Sequence, residues 1–101
     1  MRLPGFTHSQ LPDWYYISGL RVTCNGEQTV ALPSTATCIY IRANGGDVYY
    51  DLNETTANTT SPGYVPEDAL EVIGPMSNLD ALTVYGSGAT VYAHIEFWRE
   101  A

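Results

Sequence analysis

Lysine is absent from this chain of 101 residues, and its fixed cations are Arg2, Arg21, Arg42 and Arg99. Set against eleven acidic residues, they leave a formal net charge of −7. Nucleic-acid binding needs clustered cations that displace counterions from phosphates, and four scattered arginines make no such footprint. DNA and RNA are therefore not expected partners. Charged residues of either sign make up 15% of the chain, well below the usual ~25%. The exterior must be built largely from Thr, Ser, Asn, Gly and Tyr.

Long apolar runs are also missing. No stretch approaches the ~18 residues of a membrane span. The opening residues, MRLPGFTHSQLPDW, lack the apolar core of ~7–15 residues that a signal peptide carries, so none is expected. Cysteine is scarce: Cys24 and Cys38 are the only two. They read as reduced thiols, and a disulfide would require their strands to be neighbours. With His8 and His94 far apart in sequence, no zinc-ligand spacing exists. Neither G-x-S-x-G nor H-E-x-x-H occurs, and no serine or acid is paired in sequence with His94. An enzyme is not expected, and neither is a cofactor or a metal.

What the chain does have is alternation. In residues 80–98, DALTVYGSGATVYAHIEFW, Leu82 and Val84 share one face. Beyond Gly-Ser-Gly, Val91, Ala93, Ile95 and Phe97 share another, opposite Tyr92, His94, Glu96 and Trp98. A two-residue loop at Ser87-Gly88 would pair Val84 with Val91 and bring the apolar faces together, so this stretch predicts a hairpin. Shorter alternating runs precede it: WYYIS, LRVTC, QTVAL, ATCIYIRA and DVYYDL, with LEVI after a polar loop. Asn25-Gly26 and Asn44-Gly45-Gly46 stand between such runs as turn signals, and the second predicts another hairpin. Residues 53–66 form the one long polar, Thr-rich loop, with sequons at Asn53 and Asn58.

These runs predict an all-β domain over residues 14–101. The expected form is an antiparallel β-sandwich, jelly-roll-like or immunoglobulin-like, of about seven or eight short strands. Residues 1–13 carry Pro4, Gly5 and Pro12 without strand or helix period and read as an extended arm, with Leu3, Phe6 and Leu11 as candidate anchors on a neighbouring subunit. Eight tyrosines are the chain's most unusual feature. Where both faces of a strand are aromatic or apolar, one should meet the core and the other a partner. That marks Trp14, Tyr64, Tyr92, His94 and Trp98 as candidate contacts and implies an oligomer. Asp47 and Asp51 flank Tyr49 on one strand face, an arrangement with too few converging oxygens for calcium.

Three ordered phrases carry a resemblance: IYIRANGGDVYYDLN, TTSPGYVPEDALEVIGPMSNLDALTVYG and ATVYAHIEFW. The segment from Ala36 through Trp98 resembles a group of small tailed-phage virion proteins. The resemblance implies an all-β, non-enzymatic capsid decoration (cement) protein that sits on the assembled head, often as a homotrimer. Its partner would be the major capsid protein, its place the capsid surface, and its site of synthesis the bacterial host cytoplasm. A tail or head–tail joining component is the first alternative. A small carbohydrate-binding module, with Tyr64, Trp98 or Trp14 stacking on sugar, is the second.

Overall fold

A computed structural model describes residues 14–100; the arm expected over residues 1–13, with Leu3, Phe6 and Leu11, lies outside them. The described chain is all-β and antiparallel. Its strands are β1 (Trp14–Val30), β2 (Cys38–Asn44), β3 (Val48–Leu52), β4 (Gly63–Val65), β5 (Leu70–Ile73) and β6 (Leu82–Glu100). There are six strands where seven or eight short ones were expected, because two are unusually long.

β6 has 19 residues and β1 has 17. Straight, a strand the length of β6 would reach roughly 60 Å at about 3.3 Å per residue. The longest dimension of the molecule is 36 Å, so these strands must fold back on themselves. The bend lies where β6 leaves its register with β1. Thr23 pairs Tyr92, yet Asn25 pairs Ser87, so Gly88 through Val91 bulge out opposite Cys24 alone.

The remaining strands follow the same bend. β2 pairs with β6 from Cys38–Trp98 to Asn44–Tyr92, and β3 takes over from Tyr49–Tyr85 to Leu52–Leu82. β2 and β3 therefore run on in one direction along β6 and do not pair with each other. β5 lies antiparallel to β2 and β4 antiparallel to β3 in the same way. Four bent ribbons thus form one sheet that curls toward a barrel. On one side of the bend the order is β1-β6-β2-β5; on the other it is β1-β6-β3-β4.

The strands form one sheet rather than two separate ones, and its halves share β1 and β6 while β2 and β5 belong to one and β3 and β4 to the other. The concave faces of the halves share one core, with Ile39, Ile41, Ile95 and Phe97 from one half against Val48, Val65, Leu82 and Val84 from the other. Of the apolar faces read from the sequence, Ile39, Ile41, Leu82, Val84, Val91, Ala93, Ile95 and Phe97 are buried, whereas Leu20, expected inward with Val22 and Cys24, is 41% exposed.

Three expected chain reversals are corrected. The Gly-Ser-Gly hairpin does not form: Val84 pairs with Gln28 and Tyr50, and β6 continues through the glycines. Asn25-Gly26 lies inside β1 and Gly45-Gly46 at the bend between β2 and β3. Glycine is needed at the bend for close approach. A Cβ on Gly86 would come 2.5 Å from Cys24 Cβ and 2.7 Å from its carbonyl oxygen, and one on Gly45 would strike the Thr90 carbonyl. The glycines crease the sheet rather than reversing the chain.

Cys24 and Cys38 are buried free thiols on β1 and β2, strands separated by β6. Burial pushes the Cys24 thiol up to about 11.

Candidate interaction surfaces

Because side chains alternate, every strand that fills the core also presents an outer face. On the β2/β5 half, Trp98 sits on that outer face yet is 2% exposed. Tyr16 packs on it edge-on, with ring centroids 5.5 Å apart, and its indole N–H donates to Glu96 Oε1 at 3.2 Å. Trp98, Tyr40 and Cys38 form a second small core, with Trp14 and Val72 packed against it. Trp98 therefore anchors this face from below, and Tyr16, 43% exposed, carries the aromatic surface above it.

One register step pair farther along, Arg21 pairs His94 and His94 pairs Arg42 across β1, β6 and β2. These residues make a row of basic side chains on one face. Tyr92 follows on β6, with the Arg21 guanidinium 4.8 Å from its ring centre. Tyr92, His94, Trp98 and Trp14 are thus brought onto one half of the molecule. Tyr64 is placed on the other.

There the outer face carries a second row. Cross-strand pairing aligns Glu27 with Tyr85, Tyr85 with Tyr49, and Tyr49 with Tyr64. The Tyr49 ring lies 5.2 Å from Tyr64 and 6.4 Å from Tyr85. Tyr64, 45% exposed, donates its hydroxyl to Asp47 Oδ2 at 3.2 Å, and that carboxylate raises its proton affinity. Asp47 also accepts the Glu67 backbone N–H at 2.9 Å, which fixes the carboxylate beside the ring. Sequence reasoning passed over Tyr85 as a site residue. Its signal was the alternation that set it opposite Val84.

The polar loop folds back beside this row. Thr83, fully buried, donates to the Glu54 carbonyl at 2.7 Å; Glu27 accepts from the Ala57 N–H at 2.9 Å; Asp51 accepts from Ser61 Oγ at 2.7 Å. Asp51 is thereby used to hold the loop. Asn53 donates to the Asn78 carbonyl and accepts from the Asp80 and Ala81 backbone N–H groups. Its amide is consumed in pinning the loop before β6, which speaks against a sugar attached there.

A depression of about 420 Å³ lies where residues 34–37 meet the end of β6, lined by Thr35, Thr37, Ser77, Leu79, Arg99 and Glu100. It holds hydroxyls and one charge of each sign, with no nucleophile beside a base. Among the described residues, no group of three or more His, Cys, Asp or Glu side chains could hold a metal ion. No described helix is long and apolar enough to cross a membrane. Compared with known proteins, the chain matches no family model, no curated protein and no solved structure.

Proposed function

We propose that this chain is a non-enzymatic structural protein of a tailed-phage virion, acting as a decoration protein that binds and stabilises the assembled head. The observation that supports docking is the pair of aromatic outer faces, Tyr16 above Trp98 and the Tyr85–Tyr49–Tyr64 row, on a domain whose core is filled from the opposite side. The phage setting rests on the sequence phrases between Ala36 and Trp98. In this reading the major capsid protein is the partner and the decorating unit is an oligomer. Stabilisation follows from mass action: a protein that binds only the assembled shell shifts the equilibrium toward it.

A carbohydrate-binding reading is second, favoured by the exposed Tyr64 ring with the Asp47 carboxylate beside it, a pairing suited to a sugar's C–H face and hydroxyls. The test is add-back of the purified chain to heads that lack it, followed by sedimentation and thermal rupture. Saturable binding that raises the rupture temperature is expected. Absence of head binding would overturn the decoration reading, and glycan binding by the same preparation would favour the second.

A further inference from the structure

The two halves of this chain differ in charge: the β2/β5 half carries both signs, its strands holding Glu71, Glu96 and Glu100 as well as arginines. All three described arginines, Arg21, Arg42 and Arg99, lie on strands of the β2/β5 half. The β3/β4 half and its loop carry Glu27, Asp47, Asp51, Glu54 and Glu67 and, among the described residues, no lysine or arginine. On the first half, Arg21, His94 and Arg42 stand directly opposite one another on three adjacent strands. Two exposed guanidinium groups thus flank His94 on one outer face, a surface suited to a carboxylate of a partner. The nearest carboxylate on the same face of β6, Glu96, is turned to the Trp98 indole.

The second half offers a receptor of matching chemistry. This chain already seats arginine on tyrosine twice, Arg21 over Tyr92 at 4.8 Å and Arg99 over Tyr15 at 4.6 Å. Tyr64 presents an exposed ring with Asp47 fixed at its edge, the combination that holds a guanidinium by its face and its N–H groups together.

We propose that copies of this chain associate head to tail, the Arg21–His94–Arg42 row of one docking on the Tyr64–Asp47 end of the tyrosine row of the next. The two surfaces are different patches on different halves, so the contact is heterologous. Each copy keeps one free donor and one free acceptor until a ring closes. The proposal deepens the oligomeric part of the reading above by naming the surfaces.

The test uses the full chain in analytical ultracentrifugation at low and high salt. Wild type should form assemblies larger than a dimer that weaken as salt rises. Arg42→Glu and Asp47→Arg should each weaken self-association by about tenfold or more. Mixed together they should associate again, because one keeps the acceptor, the other keeps the donor, and the two reversed charges attract each other as well. Should Asp47→Arg fail to fold, Tyr64→Ala removes the acceptor ring instead and should likewise weaken self-association by about tenfold or more. Wild type that stays monomeric, assemblies indifferent to either substitution, or two weakened variants that do not complement would each overturn the proposal. Head binding is measured separately. A monomer that still binds heads sinks only the self-docking, and an oligomer that ignores heads sinks only the decoration reading.

Discussion

Gly86 and Gly88 are two residues apart on β6 and should behave differently. A methyl group on Gly86 meets Cys24 within 2.5 Å, whereas one on Gly88 has nothing within 4 Å. Gly86→Ala should cost about 2 kcal/mol or more by overpacking the bend. At about 4–8 °C per kcal/mol for a domain of this size, thermal melting should fall by roughly 10 °C. Gly88→Ala should melt close to wild type. Equal melting of the two variants would show that the bend is not formed by this close approach.

The buried protons of Cys24 and Tyr50 set an alkaline limit at the same scale. Burial pushes the Cys24 thiol from 9.0 up to about 11. Burial and the Glu71 carboxylate, which accepts the Tyr50 hydroxyl at 3.2 Å, push Tyr50 from 10.0 up to about 12. Both groups hold their protons more tightly when folded. Their contribution to stability is therefore intact below the unfolded values and is lost as pH rises through the folded ones. Denaturant midpoints should hold to about pH 9 and fall between pH 9 and 12. Cys24→Ala should remove the early part of that fall and Tyr50→Phe the later part, while a slope unchanged in both variants would assign the loss elsewhere.

At the scale of elements, the faces of the strands were legible and their connections were not. Leu82, Val84, Val91, Ala93, Ile95 and Phe97 alternate in the sequence and are all buried. Period-two patterning reports which side chains leave water, and that requirement is local. Whether Gly-Ser-Gly reverses the chain or creases it is decided by what lies opposite. A bulge facing Cys24 and a hairpin tip make the same demand for small residues. β4 was hidden for a related reason: Gly63–Val65 is a three-residue edge strand inside a polar stretch, with too little apolar pattern to read. Of the candidate site, Tyr92 and His94 were visible as outward residues of an alternating run, and Tyr64 only as an aromatic within the polar loop. The rows they join depend on cross-strand register and so were not. Val84 is fully buried between β1 and β3. Val84→Asp should cost more than about 3 kcal/mol, a large share of the stability of a small domain, by placing an unpaired charge in the core. A soluble variant with wild-type near-UV circular dichroism would contradict the packing of β6.

For the whole molecule, one architectural choice explains both the core and the surfaces. Bending β1 and β6 about a shared crease, with β2 and β5 on one side and β3 and β4 on the other, gives two halves that enclose one apolar interior. It also sends two outer faces in different directions, one with Tyr16 and the Arg21–His94–Arg42 row, the other with tyrosines and carboxylates. Such a body has little need of a pocket and much surface for neighbours, which is what the decoration reading uses. Its central claim is occupancy of the head, and immunogold electron microscopy of virions with antibody to the purified chain tests it most directly. Label spread over the whole head is the predicted result. Label confined to the tail or to a single vertex, or no label on any particle, would contradict it.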